Sequence, residues 1–517
     1  MNLQPASATF SADRSGLTGG RLLARNTLLS IVGASAPLAL GLIAIPILVR
    51  ELGAERYGIL TLSYIVVGYL GLFDLGLRRA ATQQISDSIG AGESERIPAI
   101  FWTSMLVMFA LGIGVAAIVV GISHWLVYSI LNIPSPMRPE SVGVFLVLGA
   151  VLPFILSGSC LTGTLASFQR FDLTTAVGAS TGVYSLAAPL VVLLFTHNLV
   201  WIVAILVIGR LGAWLVGLTL CLWLVVPGLA TNICPSRTSL KLLLSFGWWI
   251  TISGITSPLM AYLDRFVIGS MLSIAAISYY SVPYQMVNKL SMLSLAMAGV
   301  LYPAFSATAR TDPDRASILF ERSSRYALLA LFPGVLILFL FSPEILTIFF
   351  GTAFARPGCT VMRWLLIGVL VNGLAQIPYG LVIAANRPDL TAKFHMAETP
   401  IYFVALFLLL RRFGVAGAAA AWTLRVTIDA FALFAAAAII LPGTKAVIAQ
   451  IAWLTLIASF LLGCGAMMPA LAYRIVGTVT ALLVYLVVGW YQVLDRTDRA
   501  VFLHELKRPR FKALAPS

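Results

Sequence analysis

The sequence predicts an all-α membrane protein with about fourteen transmembrane helices, and three observations support this fold class. Hydrophobic residues make up 60% of the chain and charged residues only 10%, whereas a soluble domain carries roughly 25% charged residues. Runs of about 20 apolar residues, the length that crosses the hydrocarbon core, recur along the whole chain. The connections between these runs are too short to form a soluble domain.

The predicted spans follow one another in order and define the expected architecture. They are 28–49, 58–77, 99–120, 141–162, 173–195, 199–226, 242–263, 271–297, 325–346, 361–384, 394–410, 415–441, 446–468 and 471–494. The eleventh and twelfth spans are separated only by residues 411–414, and the last two meet at Pro469.

The distribution of basic residues predicts a multi-pass protein of the cell inner membrane with both termini in the cytoplasm. If the N-terminus is cytoplasmic, 22 Lys and Arg residues fall on that side and eight on the opposite side. Cytoplasmic loops collect such residues, and anionic lipids attract them. The net charge of +14 therefore indicates topology and not a nucleic-acid partner. Residues 1–25 and 495–517 are expected to be cytoplasmic tails.

Sequence motifs give no support for an enzyme, a metal site or a cofactor. The chain lacks GxxxxGK[ST] and HExxH, the signatures of phosphate-binding loops and zinc peptidases. Its four histidines are scattered and its five cysteines form no CxxC pair, although metal sites need clustered ligands. Function is therefore expected to depend on a site between helices.

Ionisable residues inside or at the ends of spans are the candidate site residues. Each costs roughly 2.5–3.5 kcal/mol on insertion scales unless it faces a wet cavity or a partner. The candidates are Lys289, Arg425, Arg265, Arg210 and Arg363 as cavity bases, Arg78 and Arg79 at the cytoplasmic mouth, and Asp74, Asp264 and Asp429 as coupling or structural acids. Because bases outnumber acids and Arg matches phosphate geometry, an anion-binding cavity is predicted. The alternative is a set of structural ion pairs and of bases that snorkel to the interface.

Several motifs occur in a characteristic order along residues 20–440. The stretch 25–86 carries an LG-x3-YG turn at 52–58 and a D-x-G at 74–76. It is followed by LDRFVIGSML (263–272), YYSVPYQMVNKL (279–290), LYPAFS (301–306), FFG (349–351) and FGVAGAAAAW (413–422). Together these motifs resemble the polysaccharide transporter family of the multidrug/oligosaccharidyl-lipid/polysaccharide exporter superfamily, which includes O-antigen flippases.

The resemblance implies an architecture and a function. It implies two pseudo-symmetric six-helix bundles at 26–230 and 240–442, followed by two further helices at 445–494. It also implies a flippase, not an enzyme, that exports an oligosaccharide on a polyprenyl diphosphate by alternating access, for O-antigen, capsule or exopolysaccharide synthesis. The expected partners are this lipid-linked oligosaccharide and membrane lipids, with a glycan polymerase and a chain-length regulator as further candidates.

Two other functions remain as alternatives. A cation-coupled drug antiporter of the same superfamily is disfavoured by the excess of bases over acids in the spans. A polytopic glycan polymerase or ligase would need a substantial outer loop, and the sequence shows none of that size.

Overall fold

A computed structural model confirms the all-α membrane fold. It describes residues 20–70, 77–225 and 262–488 apart from 310 and 467–470, together with scattered residues between 229 and 260. Among these residues, eleven helices are long and apolar enough to cross a membrane, and Leu471–Tyr485 forms a shorter apolar helix. The predicted span 242–263 lies almost entirely outside the described residues, so the count of fourteen stays a prediction.

The chain divides into two compact units, residues 1–278 and 279–517. The described helices of the first unit are α1 (Gly20–Leu70), α2 (Leu77–Ala91), α3 (Ile97–Trp125), α4 (Arg138–Ser167), α5 (Phe171–Leu193) and α6 (Leu199–Thr219). Helix α7 (Ile274–Asn288) contains the boundary between the units. The proposed bundle limits of 26–230 and 240–442 stay predictions, because much of the segment between them lies outside the described residues.

Local sequence explains where the helices of the first unit begin and break. Gly53 adopts φ +75°, a left-handed conformation that suits glycine, and it divides α1 where the sequence predicts two spans. Pro98 lies in the first turn of α3, where a missing N–H costs nothing. Asn198 caps α6, because its side-chain oxygen accepts a hydrogen bond from the Val200 N–H at 2.9 Å.

The LG-x3-YG turn at 52–58 packs against the start of α7 in the first unit. A Cβ atom on Gly58 would collide with the backbone oxygen of Ile274, so only glycine permits this approach. The hydroxyl of Ser278 donates to the backbone oxygen of Ala54. Asn132 adds a further link, since its side chain donates to the backbone oxygen of Ser270 at 2.7 Å. These contacts hold the LG-x3-YG turn against the start of α7.

The second unit contains the remaining described helices. They are α8 (Ser291–Thr308), α9 (Pro313–Leu340), α10 (Ser342–Phe350), α11 (Thr352–Ala384), α12 (Pro388–Phe413), α13 (Val415–Ile440), α14 (Lys445–Ala466) and α15 (Leu471–Val488). Helix α9 begins twelve residues before the predicted span at 325, because Asp312 caps it by accepting from the Arg315 N–H at 3.0 Å.

The hairpin of α12 and α13 positions the polar cluster described below. Gly414 adopts φ +58° and separates the two helices, which agrees with the break predicted at 411–414. Gly417 lies against the backbone oxygen of Leu409, so any larger residue at this position would force the helices apart. The two helices therefore approach closely along their length, with Glu398 and Arg425 near the middle of each.

The exterior of both units is apolar, as a lipid environment requires. Leu194, Trp223, Ile439 and Phe460 each expose at least 71% of their surface. In water such side chains would favour aggregation, whereas lipid tails solvate them. Orientation stays a prediction, because most of the two proposed tails lies outside the described residues.

Candidate functional site

An open pocket lies within the first unit, among α2, α4, α5 and α6. Its volume is about 480 Å³, within the range of small-molecule sites. Two of the predicted bases line it, Arg78 from α2 and Arg210 from α6. The described lining residues include no Asp or Glu. The described lining therefore presents the positive charge of two guanidinium groups.

Arg210 is the more enclosed of the two bases. Arg210 also lines a smaller cavity of about 20 Å³, together with Tyr64 and Ser185. Tyr64 is held in place because its hydroxyl donates to the backbone oxygen of Ser185 at 2.8 Å. Arg78 is exposed at the pocket surface, and the side chain of neighbouring Arg79 is exposed as well. A guanidinium in this setting is suited to bind phosphate oxygens in a bidentate manner.

Hydroxyl groups and an indole complete the lining of the pocket. The hydroxyls belong to Ser159, Thr162, Thr174 and Thr181. Trp214 is fixed in orientation because its indole N–H donates to Ser157 Oγ at 2.9 Å and its ring packs edge-on against Phe154. A pocket that combines guanidinium, hydroxyl and aromatic groups can bind an anion and a polar, hydroxyl-rich ligand together.

Glycines keep the wall of the pocket open. A Cβ atom on Gly178 would meet nothing within 4 Å, so this position faces free space. Residues 178–182 read GASTG and match the G-x-S-x-G pattern of hydrolases. That motif works at a sharp strand-to-helix turn, whereas here all five residues lie inside α5. The match is therefore not evidence for a nucleophile.

A second polar cluster lies in the second unit, between α12 and α13. Arg425 Nη1 lies 3.2 Å from Glu398 Oε1, and His395 Nε2 lies 3.9 Å from Asp429 Oδ1. The guanidinium of Arg425 also lies over the ring of Tyr402 at 5.7 Å. Glu398 is almost completely buried, with 3% of its surface exposed. Arg425 is therefore paired with a carboxylate that the sequence prediction did not consider.

The other predicted site residues fall into different environments. Arg265 is buried and bonded to the adjacent Asp264 at 2.6 Å. Arg363 donates from Nε to Ser342 Oγ at 3.2 Å and lies over the ring of Phe339. Lys289 is exposed in the short break between α7 and α8.

The predicted cavity between the two bundles stays a prediction. The structure brings Arg78 and Arg210 together in the first unit, and Arg425 and Asp429 together in the second. Asp74 lies outside the described residues. The contacts described here lie within one unit or the other, so a cavity shared by the two bundles is not among them.

Several residues of these sites were missed by sequence reasoning. The pocket hydroxyls and Trp214 carry no charge, so a search for intramembrane charges does not find them. His395 and Glu398 could have been found, because a spacing of three residues places both on one helix face. Clustering along the sequence does not identify His395, because the other three histidines lie far from it in the chain.

The family of the chain follows from comparison with known proteins. Residues 23–309 match the family model described as "Polysaccharide biosynthesis protein". A relative from Shigella flexneri named "Putative O-antigen transporter" is 26% identical over 414 residues, which is 79% of this chain and 96% of the relative. A Haloferax volcanii protein named "Probable low-salt glycan biosynthesis flippase Agl15" is 22% identical over 432 residues, covering 79% and 82% of the two chains.

Solved structures with the same fold are transporters. The structure titled "Lipid II flippase MurJ, inward closed conformation" matches with a TM-score of 0.68 and 12% identity, over 93% of this chain and 100% of its own. An inward-facing multidrug resistance MATE family transporter matches with a TM-score of 0.65 and 14% identity, over 80% and 99%. The fold and the apolar helices define a multi-pass membrane protein. The chain belongs to the family described as polysaccharide biosynthesis protein, and its fold is that of these transporters.

Proposed function

We propose that this protein is a flippase that moves an oligosaccharide linked to polyprenyl diphosphate across the inner membrane by alternating access. Both termini would be cytoplasmic, and the product would enter O-antigen, capsule or exopolysaccharide synthesis. The observation that carries the proposal is the pocket of about 480 Å³ in the first unit, with Arg78 and Arg210 in its wall. The names of the two curated relatives, an O-antigen transporter and a glycan flippase, support the same class of cargo.

The chemistry of the pocket fits two parts of such a cargo. Arg78 and Arg210 offer donors to the diphosphate, and charge-assisted hydrogen bonds of this kind are stronger than neutral ones. Hydroxyls of Thr162 and Thr181 can exchange hydrogen bonds with sugar hydroxyls. The polyprenyl tail needs no pocket, because it remains solvated by the lipid bilayer. The pocket would therefore hold the polar headgroup while the tail stays outside the protein.

The charge balance of the pocket separates this function from drug export. A lipophilic cation would meet two guanidinium groups, and like charges repel more strongly in a cavity of low dielectric constant than in water. An anionic headgroup would be attracted by the same field. A second function is therefore not supported by this pocket.

Reconstituted vesicles can test the proposal. The probe is a fluorescent disaccharide on polyprenyl diphosphate, and the assay measures how fast it becomes accessible on the opposite leaflet. Loss of a hydrogen bond to a charged group costs about 1.5–3 kcal/mol, so Arg210→Gln should slow translocation by about tenfold or more. Arg210→Lys should be intermediate, because it keeps the charge and loses the planar fork.

A matched control is available on the surface. Arg96 pairs with Glu93 at 2.6 Å and its side chain is 71% exposed, so Arg96→Gln should leave the rate unchanged. If Arg210→Gln and the double variant Arg78→Gln/Arg210→Gln both translocate the probe at the wild-type rate, the pocket is not the binding site. Export of ethidium by a wild-type protein that does not move the probe would support the antiporter alternative.

A further inference from the structure

We propose that His395, Glu398, Arg425 and Asp429 form a binding site for one exchangeable proton, and that this proton drives transport. The inference rests on the proposed transport function and adds its source of energy. The four residues are called the α12–α13 quartet below.

The α12–α13 quartet carries an excess of negative charge unless it holds a proton. Glu398 and Asp429 contribute two carboxylates, and Arg425 contributes one permanent positive charge. When the His395 imidazole is neutral, one negative charge remains uncompensated. A proton on His395 would convert the cluster into two ion pairs, Arg425 with Glu398 and His395 with Asp429. Burial in an apolar environment makes an unpaired charge costly, so one proton anywhere on the cluster removes the cost of the uncompensated charge.

Two buried oxygen atoms of the quartet have no hydrogen-bond donor. These are Glu398 Oε2 and Asp429 Oδ1. Glu398 is almost completely buried, with 3% of its surface exposed, and one polar atom each of His395, Glu398 and Asp429 lies within 4.8 Å of the other two. An unsatisfied buried acceptor costs about 1–3 kcal/mol. A mobile proton supplies the missing donor.

Charged groups on the surrounding helices are occupied elsewhere or lie at helix ends. On α12, Asp389 binds Arg387 and Lys393 at 3.1 and 3.2 Å. Helix α13 packs against α11 and α12, approaches α14 near its end, and contacts α9 through Phe434 and Phe320. The remaining charged or titratable groups on these helices include Arg411 and Arg412 on α12, Arg356, Arg363 and Tyr379 on α11, Glu321, Arg322, Arg325 and Tyr326 on α9, and Lys445 on α14. Tyr402 is a further titratable group in contact with the quartet, since Arg425 lies over its ring at 5.7 Å.

The position of the α12–α13 quartet suits a coupling role. Its residues lie in the interior of two helices long enough to span a membrane, at least seven residues from any helix end. The side chains of two of these residues are partly exposed, by 29% for His395 and 13% for Asp429. The proton would enter at these partly exposed side chains, whereas the Glu398 side chain, 4% exposed, is enclosed among them.

Energetics give the proposal a quantitative signature. One pH unit across the membrane corresponds to 1.36 kcal/mol per proton, a factor of ten. If one proton enters for each cargo molecule that leaves, a gradient of one pH unit should shift the steady-state distribution of the fluorescent disaccharide–polyprenyl diphosphate probe by about tenfold. Two coupled protons would give about a hundredfold shift, and none would give no shift.

The transport arm of the test uses proteoliposomes with an imposed pH gradient. His395→Gln and Asp429→Asn should each abolish the tenfold accumulation, whereas downhill equilibration of the probe continues. Matched controls exist for both substitutions. His197 also lies 3.9 Å from a carboxylate, that of Glu51, but it is 53% exposed, and Asp389 is in an exposed pair. His197→Gln and Asp389→Asn should both keep the accumulation.

A second arm needs no cargo, so it separates this proposal from the proposed function. The protein has four histidines, and ¹⁵N-histidine labelling in lipid nanodiscs resolves their imidazole signals. The His395 signal should respond to pH between 5 and 9, and the response should change in Asp429→Asn but not in Asp389→Asn. If the wild type moves no probe and the His395 response is found as described, the proton site stands and the glycan function fails.

Three results would overturn the proton site. The first is a His395 signal that does not respond to pH. The second is an Asp429→Asn variant that still accumulates the probe tenfold per pH unit. The third is accumulation that follows a sodium gradient and not a pH gradient, which would assign the carboxylates of the quartet to a metal cation.

Discussion

Replacing Arg425 tests whether this base is a structural partner of Glu398 or a free cavity base. Arg425 Nη1 lies 3.2 Å from Glu398 Oε1, and the carboxylate side chain is only 4% exposed. Removing one member of a buried ion pair costs about 3–5 kcal/mol, because the other charge is left buried and unpaired. For a unit of this size each kcal/mol lowers Tm by about 2–4 °C. Arg425→Met should therefore lower Tm by roughly 6–20 °C at pH 8.

The double variant Glu398→Met/Arg425→Met distinguishes pairing from other causes of instability. Replacement of a complete buried pair by apolar side chains is often neutral, so the double variant should recover most of the lost Tm. Arg387→Met is the control, because its pair with Asp389 is exposed and contributes less than about 1 kcal/mol. Differential scanning fluorimetry in detergent measures all three. If Arg425→Met is no less stable than Arg387→Met, or if the double variant shows no recovery, Glu398 does not neutralise Arg425.

Three further predictions follow from the structure and the topology. Gly178→Leu should fill the pocket of the first unit and slow probe translocation at least fivefold, whereas Gly114→Leu, on an exposed face of α3 with equally free space, should not; equal rates in both would show that the cargo does not enter the pocket. Lys289→Ala should reduce surface polysaccharide at matched expression and Lys289→Arg should reduce it less, because the exposed charge survives; full export in Lys289→Ala would make this base dispensable. Reporter fusions at Ser306 and after residue 517 should both report cytoplasm, and a periplasmic signal from either would contradict the predicted orientation.

Most of the fold could be predicted from the sequence, because apolar length is a direct consequence of bilayer thickness. The predicted spans at 173–195 and 415–441 agree closely with α5 (Phe171–Leu193) and α13 (Val415–Ile440). Helices that continue beyond the bilayer are less predictable. Helix α9 starts at Pro313 rather than near 325, because its first turns are polar and a cap at Asp312 determines their start.

The sites could be predicted only in part, because pairing is a tertiary property. The sequence identified Arg210 and Arg78 as intramembrane bases, but it could not show that α2 and α6 bring them to one pocket. It also identified Arg425 and Asp429 as intramembrane charges, which the structure places near each other. The structure adds a partner for Arg425 from the neighbouring helix, Glu398. Helix spacing predicts contacts within one helix, whereas contacts between helices depend on the rotation of each.

The bases that the sequence grouped together therefore perform at least two different tasks. Arg265 and Arg425 have carboxylate partners at 2.6 and 3.2 Å, so each contributes little net charge to its surroundings. Arg78 and Arg210 line a pocket whose described wall has no acidic side chain. The two guanidinium groups of this pocket are thus the part of the first unit that favours an anionic cargo. Within the α12–α13 quartet, by contrast, one negative charge is left over unless the quartet gains a proton. A transporter built in this way can bind its anion and its driving cation at separate places, so that neither has to displace the other from a shared site.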